Sequence, residues 1–297
     1  MRGDVKAKGD VFKTRWIRRW AASVGFTFIL AGTTTARAQE SPIEDQALLN
    51  AGKEALEKLR PLTLGETQEL CFRMMFGPDQ TVGYVRTVVT CPREGTSNDR
   101  EYFAESVTTF PNRAKLSFSL GGKITPTFEP IDLTLVHSLY KPESGEQLTT
   151  IRCTVGSEKV KMTGKSGDKE NVAEVPRPKE PFFMGIESLV ARLDHFKFDR
   201  FAAREFDLKA GSAGYLTFST EQWNDGTPTI VTRRLDGSGS YQFWFDQNGA
   251  LIRWGEPSLP VVFVRTACGD LKEYRQQFGV APVLPTAQNV EKETKEK

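Results

Sequence analysis

The chain predicts a mainly β protein: one large curved antiparallel sheet, an incomplete barrel or a sandwich, with an N-terminal amphipathic helix and a short helix near 185–193. Three observations point there. From Glu66 onward apolar and polar residues alternate along most runs, the period of a strand with one buried face. Gly, Pro, Asn and Asp punctuate those runs at short intervals, as hairpin turns require. Helical spacing is confined to two places. Strands joined by short turns pair with their sequence neighbours, and a sheet of this size needs strong curvature or a second layer to hide a face.

Residues 1–38 read as an export signal. Arg15, Arg18 and Arg19 form a basic stretch, Trp20–Gly32 an apolar stretch of thirteen residues, and Ala36-Arg37-Ala38 a cleavage site before Gln39. Such a stretch falls short of the ~20 apolar residues that a membrane-spanning helix needs. Leu30-Ala31-Gly32 is followed by Thr33 rather than cysteine, so no lipid anchor is expected, and Arg18-Arg19 lacks the wider twin-arginine pattern. The protein is expected to be exported, periplasmic or extracellular, with no stable membrane anchor after cleavage.

From Ile43 to Leu59 the residues Ile43, Ala47, Leu48, Ala51, Ala55, Leu56 and Leu59 recur at helical spacing, with Ser41-Pro42 as the entry and Pro61 as the stop. The period then changes to two. Glu66–Phe76 and Thr81–Thr90 flank the turn Gly77-Pro78-Asp79-Gln80, and setting Phe76 opposite Thr81 puts Leu70, Phe72, Val85, Val89 and Cys91 on one face. Tyr102–Phe110 and Ala114–Leu120 flank Pro111-Asn112-Arg113. Ile131–Tyr140, Leu148–Val155 and Lys159–Thr163 complete a first meander. Residues 164–181 are polar, charged and Pro-bearing, and read as a linker or exposed loop.

A short helix from about Gly185 to Leu193 places Ile186, Leu189, Val190 and Leu193 on one side. Ala213–Gln222, Thr229–Leu235, Ser240–Asp246, Ala250–Trp254 and Val261–Ala267 form a second meander with explicit turns between its strands. The organisation expected is a signal peptide (1–38), a helix and first meander (39–163), a polar linker (164–181), and a short helix and second meander (182–285) able to join the first in one sheet. Residues 286–297 form a charged tail that cannot build a core.

Without its leader the chain carries 32 basic and 36 acidic residues, a net charge of −4. No cationic stripe remains for nucleic acid. Cys71, Cys91, Cys153 and Cys268 make an even set, so two disulfides are expected in an oxidising compartment, with the pairing open. By alternation Cys91, Cys153 and Cys268 face the core, while Cys71 is in phase with Glu69 and Arg73 on the more polar face. No Cys-x-x-Cys pair exists and the only histidines are His137 and His195, so no metal site and no cofactor are expected.

Two histidines also leave little room for a nucleophile–histidine mechanism, and His137 sits in an apolar strand phase, where a core position is expected. Paired carboxylates remain, with Glu101, Glu105, Glu221 and Asp246 near strand ends, but nothing selects two of them. Asp246-Gln247-Asn248-Gly249 resembles the start of a calcium loop, yet the later acidic positions are missing and a tight turn accounts for it.

Tyr215, Phe218, Trp223, Tyr241, Phe243, Trp244, Phe245 and Trp254 fall within forty residues. Tyr241, Phe243 and Phe245 share one strand face, a core row or the lining of an apolar groove, and Trp244 points to the other side. The order of short helix, two hydrophobic strands and Tyr241-Gln242-Phe243-Trp244-Phe245-Asp246-Gln247-Asn248-Gly249-Ala250-Leu251-Ile252 resembles periplasmic lipoprotein-carrier (LolA/LolB-like) curved-sheet proteins and related families of unknown function. That resemblance spans about 110 residues and implies an incomplete barrel, closed by helices, around an apolar cavity. The cysteine-bearing first meander has no counterpart in it.

The function expected is a non-catalytic binding or carrier module for a lipid or other apolar ligand, with Tyr241, Phe243, Phe245 and Trp244 as candidate groove residues. Interaction with an envelope protein is the alternative, and a carboxylate-based hydrolase the third.

Overall fold

The computed structural model describes residues 45–93, 98–110, 113–194, 198–208, 212–222, 227–234, 239–257, 259–271, 273 and 276. The leader, Ser41-Pro42, His195, Trp223 and the charged tail lie outside these residues. Helix α1 (Gln46–Glu57) begins at Asp45, whose side chain accepts from the backbone N–H groups of Ala47 and Leu48 at 3.0 and 3.3 Å. No described helix is long and apolar enough to cross a membrane.

Fifteen strands follow: β1 (Thr67–Phe76), β2 (Gln80–Thr90), β3 (Arg100–Thr109), β4 (Lys115–Ile124), β5 (Pro130–Lys141), β6 (Gly145–Val155), β7 (Lys159–Ser166), β8 (Lys169–Pro176), β9 (Phe182–Phe183), then, after helix α2 (Ile186–Val190), β10 (Arg200–Asp207), β11 (Ser212–Gln222), β12 (Pro228–Arg234), β13 (Ser240–Phe245), β14 (Leu251–Gly255) and β15 (Val261–Arg265). They form one sheet in the order β8-β7-β6-β5-β4-β3-β2-β1-β15-β14-β13-β12-β11-β10-β9. Every neighbouring pair is antiparallel except β9 and β10. Both meanders therefore belong to a single sheet, joined where β15 returns beside β1.

The sheet curls strongly but does not close. Just beyond edge strand β9, the Met184 N–H donates to the Phe128 carbonyl at 3.1 Å, in the loop between β4 and β5. Ten strand spacings would separate these groups by about 48 Å in a flat sheet. The two edge strands do not pair with each other. Residues 177–181 carry the chain between them, which limits the gap to about 20 Å.

Helix α1 seals part of that gap. Strand β9 pairs only with Arg204 and Glu205 of β10. Farther along β10, a methyl group on Gly52 would stand 1.8 Å from the Ala202 carbonyl oxygen and 2.9 Å from its carbon. The helix thus meets this carbonyl nearly end-on, on the side away from β11. Covering an edge in this way removes a template for unwanted strand pairing.

The concave face holds the main core, which includes Leu70, Phe72, Val89, Tyr102, Leu133, Ile151, Phe183, Leu189, Phe201, Phe218 and Phe243. Helix α2 lies inside the curl, where Ser188 Oγ donates to Thr87 Oγ1 of β2 at 3.0 Å. The β1–β2 register sets Leu70 opposite Thr87 and Phe72 opposite Val85, as the sequence predicts, and a bulge between Met74 and Met75 moves the turn by one residue.

Three sequence expectations need correction. Residues 164–181 are not a linker: β7 and β8 form a hairpin there, with almost all of β8 exposed and only Val175 packed on the core. Strands β9 and β10 were also not anticipated. Finally, there is one disulfide, Cys71–Cys268, and not two. Cys91 and Cys153 are free and buried on the concave face, at the end of β2 and on β6, about 19 Å apart along the sheet. Cys268 lies beyond β15 in a 3₁₀ turn (Cys268–Asp270), on the convex side. There Cys71, Tyr84, Val107 and Leu271 make a second small buried cluster, so Cys71 sits on the more polar face but is fully covered.

Candidate functional site

The sequence-selected aromatic row divides into three environments. Phe243 and Phe245 are fully enclosed in the main core. Tyr241, the first of the row, is half-buried at its rim. Trp244 stands on the convex face, with the Arg253 guanidinium 4.1 Å above its ring. In this structure Tyr241 is therefore the member of the row open to solvent on the concave side.

Tyr241 belongs to a cluster built across β13, β14 and β15. Trp254 stacks on Phe263 at 3.8 Å and 4°, and meets Tyr241 edge-on at 6.2 Å. Phe243 lies nearly parallel to Trp254 at 6.1 Å, and Phe72 meets it edge-on at 6.3 Å. The Trp254 ring is 9% exposed and its Nε1 has no hydrogen-bond partner. Thr232, the cross-strand partner of Tyr241 and hence on the same face, is fully buried and its Oγ1 also lacks a partner. Unpaired buried polar atoms are uncommon and each costs about 1–3 kcal/mol.

Polar groups gather beside this aromatic wall. Glu205 of β10 and Arg234 of β12 form an ion pair at 2.6 Å across β11. Gly214 of β11 pairs with Glu205 and presents no side chain to obstruct the arginine. From α2, Glu187 accepts a hydrogen bond from the Tyr102 hydroxyl, which also bonds Ser188. Gly185, in a left-handed conformation at φ 69°, lets α2 approach this tyrosine: a methyl group there would stand 2.6 Å from the Tyr102 oxygen.

Burial governs the protonation of the cluster. It pushes the Glu187 carboxyl up to about 7, reinforced by the charge of Glu205 and opposed by the Tyr102 hydrogen bond and the residue's own backbone N–H. Burial also raises Glu205, against the pull of Arg234. Tyr241 is pushed up to about 12, again chiefly by burial and then by Glu205, with Glu256 and Asp207 adding to the effect and Arg234 opposing it. The field around Tyr241 is thus predominantly negative.

The other sequence candidates lie elsewhere. His137 is buried on the concave face of β5, and His195 falls outside the described residues. Glu105 is buried on the convex face with Arg86 at 3.8 Å. Glu221 pairs with Arg233 at 3.2 Å on the surface, and Glu101 is exposed. Asp246 closes its turn by accepting from the N–H groups of Asn248 and Ala250 at 2.9 and 2.8 Å. Among the described residues, the only three metal-type donor groups within 4.8 Å of one another are Glu69, Cys71 and Cys268, two of which are the disulfide.

Sequence reasoning missed Glu187, Glu205, Arg234 and Tyr102. A signal existed for two of them: Glu187 is the charged residue in the short helix Ile186–Val190, and Glu205 shares the strand phase of Phe201 and Ala203.

No protein-family model matches this sequence, and no curated protein matches it. The structure is similar to the crystal structure of a β-barrel-like protein of a domain of unknown function, DUF1849, from Brucella abortus. The two chains are 9% identical with a TM-score of 0.44, over 69% of this chain and 96% of that one. No link to the LolA/LolB carriers emerges from these comparisons.

Proposed function

We propose that this protein is an exported, non-catalytic binding module that holds an apolar ligand against the concave face of its sheet. One observation carries the proposal: concave-face apolar side chains remain incompletely covered on both walls of an unclosed sheet. Phe118, Met162 and Val175 form one such set on β4, β7 and β8, and Tyr241 and Phe263 the other on β13 and β15. Two clefts flanking α1, of about 140 and 210 Å³, fall below the ~300 Å³ at which ligand pockets begin.

A second reading has its own support. Strand β8 pairs on one side only and is largely exposed, so an extended segment of an envelope protein could add to that edge. The charges of Lys169, Glu170 and Glu174 oppose indiscriminate pairing there.

Non-denaturing mass spectrometry of the protein purified from an exporting host, before and after organic extraction, tests the first reading. A stoichiometric adduct removed by extraction, or binding of a polarity-sensitive apolar dye that Tyr241→Ala weakens at least about fivefold, is expected. A clean apo mass together with no dye binding would overturn it and favour the β8 edge.

A further inference from the structure

Three arginines from distant parts of the chain converge on one cleft. Arg60 follows α1, Arg100 opens β3 and Arg192 follows α2, and all three line the cleft of about 140 Å³ beside the C-terminal end of α1. Thr127, in the loop between β4 and β5, adds a hydroxyl, and the core residues Val89 and Phe128 add apolar surface. Glu57 is the acid on this lining. Among the described residues no carboxylate pairs with any of the three arginines. Arg86, Arg177, Arg204 and Arg234, by contrast, each stand against one.

Backbone contacts hold these side chains in place. The Arg60 N–H donates to the Arg192 carbonyl at 3.0 Å, Arg60 Nη2 to the Ala191 carbonyl, and Arg192 Nη2 to the Arg60 carbonyl, which ties the chain after α1 to the chain after α2. Arg100 Nη1 donates to the Asn98 carbonyl at 2.7 Å and to that of Asp99 at 3.5 Å. Each guanidinium thus commits a single nitrogen to the backbone, and its other N–H donors have no protein acceptor among the described residues. Tying the two segments together uses one nitrogen each from Arg60 and Arg192 and none from Arg100, so it does not account for the convergence.

The charge of the cleft is left uncompensated. Arg192 is only 7% exposed. Burial lowers its guanidinium, opposed by Glu66 and reinforced by Arg60 and Arg100. Glu66 is itself held by the Thr63 N–H and hydroxyl at 2.8 and 2.9 Å. A buried cation beside two others calls for a counter-charge. Size narrows the choice: at about 30 Å³ per water the cleft has room for roughly four or five waters, which matches the heavy atoms of a phosphate. Guanidinium forks bind phosphate oxygens two at a time, and a phosphate directs its oxygens to several sides, so it can meet three forks at once.

We propose that this cleft binds a phosphate group, inorganic phosphate or the head of a phosphate monoester, through Arg60, Arg100 and Arg192. Thr127 adds a neutral hydrogen bond at the rim. The site is separate from the concave-face ligand and does not depend on it.

Titration calorimetry of the purified protein with sodium phosphate and with hexyl phosphate, at pH 7.5 and constant ionic strength, tests the proposal. Inorganic phosphate is expected to bind with a Kd below about 1 mM. Arg100→Gln and Arg192→Gln should each weaken binding about tenfold or more, the loss of a hydrogen bond to a charged group. Unchanged near-ultraviolet circular dichroism confirms that each variant folds, and Arg100→Gln, which ties no helix, serves if Arg192→Gln does not. Hexyl phosphate binding about tenfold more tightly than phosphate assigns the site to a monoester head, since burying two methylenes suffices for that gain. Equal or weaker binding of hexyl phosphate assigns it to the free ion. Binding of neither compound overturns the proposal, and so does binding that the substitutions leave unchanged.

Discussion

Replacing Gly52 with alanine tests whether α1 seals the sheet edge as described. On an exposed helix this change is stabilising by about 1 kcal/mol, because alanine is the better helix former. Here the added methyl would stand 1.8 Å from the Ala202 carbonyl oxygen, a backbone atom that cannot rotate away. Restoring even a 3.0 Å contact requires the helix to withdraw by more than about 1 Å, which loosens Leu56 from the main core. Overpacking of this kind costs about 1–3 kcal/mol and outweighs the propensity gain. For a domain of roughly 200 residues each kcal/mol lowers the melting temperature by about 2 °C. Differential scanning calorimetry should show a fall of about 2–6 °C for Gly52→Ala, against a change within about 1 °C for Lys53→Ala, which is exposed. An unchanged or raised melting temperature would refute the docking of α1 on β10.

The remaining predictions concern the disulfide and the lumen acid. Cys71–Cys268 closes a loop of 197 residues, and its reduction should lower unfolding stability by about 3–5 kcal/mol in urea titrations with and without reductant. Thiol titration should find no reactive cysteine in the native protein and two on unfolding without reductant, since Cys91 and Cys153 are buried and burial pushes the Cys153 thiol up to about 11. Four thiols, or none, on unfolding would contradict the pairing. For Glu187 the folded state holds a proton that the unfolded chain releases between pH 4.5 and about 7, so its contribution to stability falls as pH rises through that window. The loss is on the order of 3 kcal/mol at most. Urea unfolding at pH 5 and pH 8 should show this drop in the wild type and a smaller one in Glu187→Gln, and identical pH slopes would refute the shifted carboxyl.

The sheet was legible in the sequence because strand period and turn chemistry agree. The first hairpin shows how far this goes: alternation alone set Leu70 and Phe72 against the correct partners, although the bulge at Met74 and Met75 leaves no sequence trace. Strand β8 was hidden by its composition, since an exposed hairpin arm carries the same Lys, Glu and Asn as a loop and pairs through backbone groups that alternation does not report. Strand β10 was hidden for a different reason. Both of its phases are mixed, Arg200 and Arg204 alternating with Ala202 and Phe206 in one and Phe201 and Ala203 joined by Glu205 and Asp207 in the other, so no polar phase marks it as a strand. The candidate site was scarcely legible. Tyr241 stood out as an aromatic, but the acid that acts on it most strongly, Glu205, comes from β10, and Glu187 reaches Glu205 from α2, elements that the sequence pattern does not bring together.

Those acids also bear on what the lumen is for. Exchanging an ion pair such as Glu205–Arg234 for apolar side chains of equal volume is commonly neutral or stabilising, so stability alone does not explain its presence. Glu187 destabilises the folded state whenever it is ionised, and Thr232 and Trp254 hold unpaired polar atoms on the same concave face. The ion pair, Glu187, Thr232 and Trp254 are thus polar features that an apolar concave face does not need for its own stability.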